Sequence, residues 1–126
     1  MRADNQILVI SKSFALRIIR LYTYLKEEKR EHVMSTQLLR CGTSIGANVR
    51  ESINAQSKAD FINKMNIALK EADESQYWLE LLHESSYLKD SEFVSLNDDL
   101  GKILGTLTKI IKSSKSNVQC SIINVQ

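Results

Sequence analysis

Apolar residues recur at steps of three and four along four segments of this chain, the spacing of one face of an α-helix. The segments cover about residues 11–31, 35–57, 58–86 and 91–114. The four stripes are Phe14, Ile18, Leu21 or Tyr22 and Leu25; Leu38, Cys41, Ile45, Val49 and Ile53; Phe61, Met65, Ala68, Ala72, Ser75, Leu79 and Leu82; and Phe93, Leu96, Leu100, Ile103, Leu107 and Ile110. Because an apolar stripe must be buried against another element, four stripes predict four helices around one core.

The chain has few residues that interrupt helices, with no proline and only four glycines among 126 residues. The connections between the predicted helices are therefore short, and short connections make successive helices antiparallel neighbours. We predict an all-α, up-down-up-down four-helix bundle over residues 11–114, preceded by an N-terminal extension at 1–10. Residues 115–126 form a C-terminal tail, which is either disordered or docks on a neighbour through Ile122, Ile123 and Val125.

Serines and threonines mark three of the predicted helix starts, where a side-chain oxygen can accept an N–H bond of the first turn. Ser35 or Thr36 is expected to cap the second helix, Ser57 the third and Ser91 the fourth.

The four glycines form two pairs inside predicted helices, Gly42 with Gly46 and Gly101 with Gly105. A spacing of four puts both members of a pair on one helix face. Since glycine costs about 1 kcal/mol relative to alanine inside a helix, we expect each pair to mark a close helix crossing, within or between subunits.

Charge is unevenly distributed along the chain. Residues 1–57 carry a net charge of +4, residues 58–100 carry −6 and residues 101–126 carry +4. One interpretation is charge complementarity within or between subunits. The other is a basic face for RNA or DNA, formed if the first and fourth helices are neighbours, with Arg17, Arg20, Lys102, Lys109 and Lys112 as candidate contacts. Aromatic residues do not interleave with these cations in the sequence, so stacking on single strands is not indicated.

The apolar runs are too short to cross a bilayer or to form the core of a signal peptide. The two cysteines, Cys41 and Cys120, match no zinc-binding spacing and predict no disulfide framework. We therefore expect a cytoplasmic protein without membrane contact.

Enzymatic patterns are incomplete in this sequence. A di-metal bundle needs two Glu-x-x-His pairs, and only Glu80 with His83 supplies one. Cys41 lies on a buried stripe with no histidine nearby in sequence, which argues against a cysteine nucleophile. We expect no catalytic residues, no metal and no cofactor.

Two segments carry a family resemblance. Residues 37–51 read Gln-Leu-Leu-Arg-Cys-Gly-Thr-Ser-Ile-Gly-Ala-Asn-Val-Arg-Glu, and residues 60–80 contain Glu-Ala-Asp-Glu-Ser-Gln-Tyr-Trp-Leu-Glu. They resemble the four-helix-bundle proteins encoded in intervening sequences of bacterial 23S rRNA genes, a family that includes the accessory protein of diversity-generating retroelements. The resemblance covers roughly residues 11–114, and Arg50 and Ser52 depart from the small residues more usual there.

The resemblance implies a homopentameric ring of bundles without known enzymatic activity. For the retroelement member it also implies a basic surface that binds nucleic acid, and a reverse transcriptase as protein partner. That member is more basic than this chain.

The motif residues permit specific hypotheses. Arg40 either pairs with Glu71 or Glu74 across the second and third helices, as a partly buried fork that fixes their register, or all four of Arg40, Glu51, Glu71 and Glu74 are solvated surface charges. Ser44 and Asn48 bond either a neighbouring helix or the preceding turn of their own helix. Tyr77 and Trp78 either anchor a subunit interface or pack at the edge of the core. Gly46 belongs to the helix crossing described above.

Two non-enzymatic functions remain open. One is an oligomeric scaffold whose basic surface contacts RNA or DNA. The other is a protein-interaction and assembly module that binds no nucleic acid, which the acidic middle block favours.

Overall fold

The computed structural model describes the backbone of residues 2–125 and the side chains of residues 6–116. Its four helices are α1 (Arg2–Glu27), α2 (Val33–Ile53), α3 (Lys58–Glu84) and α4 (Asp90–Val125). Across residues 2–125 the elements are helices joined by short connections, without strands. The predicted all-α four-helix fold is confirmed.

Contacts between helices show that sequential neighbours run in opposite directions. Between α2 and α3, Arg40 contacts Glu74 near one end and Glu51 contacts Lys64 near the other. Residue numbers thus fall along α3 as they rise along α2. Each helix packs on its neighbour in sequence, and α1 also packs on α4, which closes the bundle.

The core consists mainly of the predicted apolar stripes, joined by Ile7, Leu88 and Ile111. Its fully buried large side chains include Phe14, Ile18, Leu25, Leu38, Ile45, Met65, Leu79, Leu82, Leu96, Leu100 and Ile103. Ile53 is an exception: it is the last residue of α2 and 46% exposed, so the second stripe ends at Val49. Within the part of the chain that the structure describes, no helix is long and apolar enough to cross a membrane.

Both chain ends differ from the prediction. Helix α1 begins at Arg2 instead of Ser11, and Ile7 is completely buried in the core, so residues 2–10 belong to the bundle and form no separate extension. Helix α4 continues to Val125 instead of ending at Ser114, because no glycine or proline follows Gly105 to stop it. The side chains of Ile122, Ile123 and Val125 lie outside the described residues.

The helix starts follow the predicted caps at only one position. The Ser57 side chain accepts a hydrogen bond from the backbone N–H of Asp60, at 3.1 Å, as predicted. Ser35 and Ser91 instead lie inside their helices. At the start of α2, the cap is the carboxylate of Glu31, a buried residue.

The two glycine pairs have different environments. A Cβ at Gly42 would lie 3.1 Å from two carbons of Ile18, and one at Gly46 would lie 3.4 Å from Ser11 Oγ. The first pair therefore allows close packing of α2 on α1, as predicted. For a Cβ placed at Gly101 or Gly105, no other atom of the described residues lies within 4 Å, so within the described part of the chain this pair marks no helix crossing.

Candidate functional site

The predicted basic residues occupy two separate places. Arg17 forms an ion pair with Asp99, with 2.7 Å between Nη1 and Oδ2. The two residues therefore lie at the same height along the bundle, Arg17 on α1 and Asp99 on α4. Lys109 is ten residues beyond Asp99, or about 15 Å along the helix axis. Helices α1 and α4 are neighbours, but Arg17 and Lys109 do not belong to one compact patch. Arg17 is also already neutralised by the carboxylate of Asp99.

The α4 lysines form an exposed row. Lys102, Lys109 and Lys112 are all exposed, and their spacings of seven and three keep them on one side of α4. Among the side chains of residues 6–116, no carboxylate lies within 4 Å of their ammonium groups. Gly101 and Gly105 leave open space on the same helix. This row is the basic surface that the chain offers along its long helix.

The predicted link between Arg40 and the α3 glutamates is present. Arg40 Nη2 lies 2.6 Å from Glu74 Oε2, and its Nη1 lies 3.9 Å from Glu71 Oε2. Glu74 Oε2 also accepts a 3.0 Å hydrogen bond from Trp78 Nε1. The Trp78 bond, followed by the bond and charge of Arg40, lowers the pKa of Glu74 below its usual range. The Arg40 side chain is 55% exposed, so the pair is a surface fork.

The depressed pKa of Glu74 predicts a pH-dependent contribution to stability. The native state favours the ionised carboxylate, so this contribution is complete above the unfolded-state pKa of about 4.3 and is lost as pH falls through the lower native pKa. We expect the urea midpoint of the wild type to exceed that of Glu74→Gln at pH 6–7, with the gap closing below about pH 4. Because the Arg40–Glu74 pair is exposed to solvent and screened by salt, we expect this difference in urea midpoint to be smaller than that caused by a core substitution.

Glu80→Gln is the matched control because Glu80 is an exposed α3 glutamate with no ion pair within the described part of the chain. A difference in urea midpoint between the wild type and Glu74→Gln that is the same at every pH would contradict the pH-dependent contribution of Glu74.

Polar residues on the motif helices are used mainly in local packing. Asn48 Nδ2 donates to the carbonyl oxygen of Ser44, at 2.9 Å, so the back-bond interpretation holds. Ser75 Oγ lies 3.3 Å from Cys41 Sγ, a buried contact between α3 and α2 that sequence reasoning missed. Burial is the main cause that raises the pKa of the Cys41 thiol, which disfavours the reactive thiolate.

The two aromatic motif residues divide their roles. Trp78 packs partly against the core, which is the core-edge interpretation. Tyr77 is 53% exposed and meets the Trp78 ring edge-on, with ring centroids 5.3 Å apart. An interface role for Tyr77 stays a prediction.

Several apolar side chains face outward. Val9 is 68% exposed, Leu16 47% and Ile19 44%, all on α1. Val9 and Ile53 also line a groove of about 340 Å³ between the start of α1 and the end of α2, together with Leu8, Lys12, Arg50 and Asn54. Exposed apolar side chains gathered on one side of a bundle are typical of a surface that packs on another subunit.

The histidine considered for metal binding has other partners. His83 Nε2 lies 2.6 Å from Asp90 Oδ1, and its ring stacks on Phe93 with centroids 4.2 Å apart. Within the described side chains, no group of three potential metal ligands converges.

The structure also forms a cleft of about 980 Å³ at one end of the bundle, between the end of α1 and the α3–α4 connection. Lys29, Lys89, Tyr24 and Tyr87 line it together with Arg20. Sequence reasoning selected only Arg20 and Arg17 of the cleft cations, because the others lie in connections far apart in sequence.

The fold and these surfaces define a class: an all-α four-helix bundle whose interior polar groups serve packing and whose cations and remaining apolar groups lie outside. The family model described as "23S rRNA-intervening sequence protein" matches residues 3–109. The chain belongs to this family.

A solved structure from Bacteroides thetaiotaomicron, described as a protein of unknown function from the S23 ribosomal protein family, has the same fold. It is 54% identical, with a TM-score of 0.86, and the match covers 87% of this chain and 98% of that one. No curated protein matches this chain.

Proposed function

We propose that this chain is a non-enzymatic subunit of a homo-oligomeric scaffold that associates with RNA. The observation that carries the proposal is the exposed row of Lys102, Lys109 and Lys112 on α4, whose ammonium groups have no carboxylate within 4 Å among the side chains described. Lysine acts on phosphates as a point charge, so such a row suits a nucleic-acid backbone and reads little sequence. The family is named after intervening sequences of 23S rRNA, and RNA is therefore the polyanion that we propose to test first.

Assembly is the second part of the proposal. The outward apolar residues of α1 and the groove at Val9 and Ile53 supply surface that a neighbouring subunit can bury. The resemblance implies five subunits, and we adopt the homopentamer as the expected state. The buried thiol of Cys41 is compatible with the reducing cytoplasm, which we propose as the location.

The alternative is an assembly module that binds no nucleic acid. It is favoured by the open face at Gly101 and Gly105, which lies on the same helix as the lysines and lets another backbone approach closely. In that case the α4 lysines meet acidic groups of a neighbouring subunit or of a protein partner.

One variant separates the two functions. Lys102→Gln, Lys109→Gln and Lys112→Gln together remove three charges, and we expect the slope of log K for single-stranded RNA against log salt to fall by about 2. If the variant and the wild type bind RNA equally at about 1 M salt, this change in slope gives roughly a 100-fold loss of affinity at 0.1 M salt. The matched control neutralises Lys26, Lys58 and Lys70, which are exposed on other helices.

The readouts are RNA binding by fluorescence anisotropy and subunit number by native mass spectrometry. Weaker RNA binding with the oligomer intact supports the scaffold. Dissociation of the variant supports the assembly module. A wild-type chain that binds no RNA even at low salt contradicts the proposed association.

A further inference from the structure

The end cleft brings together residues from three parts of the chain. Its walls come from the last turns of α1, from Lys29 in the α1–α2 connection, and from the α3–α4 connection with the first residues of α4. At about 980 Å³, it is at the upper end of the range of volumes that ligand sites occupy.

Positive charge dominates the cleft. Arg20, Lys29 and Lys89 are exposed, and no carboxylate within residues 6–116 comes within 4 Å of them. Two acidic residues, Asp90 and Glu92, line the cleft as well, and Asp90 is bonded to His83. Three cations without an ion-pair partner thus face an open volume, which is the arrangement that attracts phosphate.

Apolar and aromatic groups also line the cleft. Leu21 and Leu88, which are 6% and 5% exposed, are the buried apolar part of its lining. Tyr24, near the end of α1, is 42% exposed, and Tyr87, in the α3–α4 connection, is half-buried and packs against the core. An exposed tyrosine ring beside cations, as at Tyr24, is the combination that single-stranded nucleic acids use, since a base stacks on the ring while the backbone meets the charge.

The connections that carry these groups are held by local structure. Ser86 has a φ of 71°, and the N–H groups of Tyr87 and Leu88 both donate to the carbonyl oxygen of Leu82, at 2.9 and 3.1 Å. At the other connection, Arg30 has a φ of 57° and Glu31 N–H donates to Leu25 O at 3.0 Å. Both left-handed residues follow the ends of helices, Ser86 after α3 and Arg30 after α1, so these hydrogen bonds end the helices and fix the start of each connection.

We propose that this cleft binds an unpaired nucleotide of single-stranded RNA, with its base against the exposed ring of Tyr24 and its phosphates at Arg20, Lys29 and Lys89. The inference rests on the proposed association with RNA and assigns it a second site, away from the α4 lysine row. A free nucleotide offers the same chemistry, but only a strand places phosphates on both sides of the base. Duplex RNA keeps its bases stacked and meets only the charges.

The test measures binding of a twelve-nucleotide oligouridylate by fluorescence anisotropy in the full chain. Tyr24→Leu keeps apolar bulk but removes the stacking ring, and we expect affinity to fall roughly 5- to 150-fold. Lys29→Gln with Lys89→Gln is expected to lower the salt slope by about 1.4. Lys58→Gln with Lys70→Gln, which are also exposed and remove the same charge, is the matched control. A duplex of the same length should bind wild type and Tyr24→Leu equally.

The outcomes separate this inference from the proposed function. If the cleft variants bind oligouridylate as tightly as the control, while the α4 lysine variant loses affinity, the cleft assignment is overturned and the scaffold proposal stands. If uridine monophosphate binds as tightly as the oligonucleotide, the assignment to a strand is overturned. If the wild type binds no RNA at low salt, both proposals fall. Circular dichroism of each variant confirms that the helices are intact.

Discussion

Phe14→Ala is expected to lower the free energy of unfolding by about 3–5 kcal/mol. Phe14 is completely buried in the middle of α1 and is among the largest side chains of the core. Alanine removes the apolar area that the ring buries and leaves a cavity that the surrounding helices fill only in part. For a domain whose total stability is typically about 5–15 kcal/mol, this is a large fraction. Urea denaturation followed by circular dichroism measures the change.

Leu16→Ala is the matched control because Leu16 lies two residues away on the same helix and is 47% exposed. Its expected cost to the monomer is below about 1 kcal/mol. Since Leu16 is also part of the outward apolar surface, the two variants are compared at a concentration at which native mass spectrometry shows the same subunit number. Equal costs at both positions would mean that the ring of Phe14 is not in the core.

Glu31→Ala is expected to destabilise the protein by about 2 kcal/mol, mainly at the start of α2. One carboxylate oxygen of Glu31 accepts from the N–H groups of Val33 and Met34, at 3.0 and 2.9 Å, and the other accepts from Ser35, at 2.9 Å. These are the first N–H groups of the helix, which have no partner within it. A lost cap costs about 0.5–2 kcal/mol, and losing a negative charge at a helix N-terminus adds about 0.3–1 kcal/mol.

Glu28→Ala removes the same type of side chain three residues earlier, where it is exposed and takes no part in a cap. Its expected effect is within about 0.5 kcal/mol. Amide hydrogen exchange gives a second measurement: in Glu31→Ala, protection should fall first at Val33, Met34 and Ser35. Unchanged protection there, together with wild-type stability, would show that the cap contributes nothing.

Both predictions concern stability because the interior of the bundle is used for packing. The thiol of Cys41 is buried against Ser75, Asn48 bonds its own helix, and Trp78 is held by Glu74. Groups that can recognise a partner lie on the outside: the α4 lysines, the apolar residues of α1 and the end cleft. Recognition by this protein is therefore expected to involve surfaces that leave its core intact.

Helix α3 shows how far local patterns reach. Its start is marked by Ser57 and Asp60, and its stripe from Met65 to Leu82 is buried throughout, so the predicted helix differs from the observed one by only two residues at its end. The start of α1 and the end of α4 were predicted poorly because neither position has a residue that stops a helix. Without such a signal, the continuation of a helix depends on what packs against it.

The sequence alone determined the four helices, their order and the identity of the core, because each of these depends on apolar spacing within one segment and on short connections. The tertiary structure decided which surface charges are paired and which groups share a cleft. Arg17 is neutralised by Asp99, 82 positions away, while Lys29 and Lys89 face the same volume. Such relations join residues that are distant in the chain, so they exist only once the helices have packed.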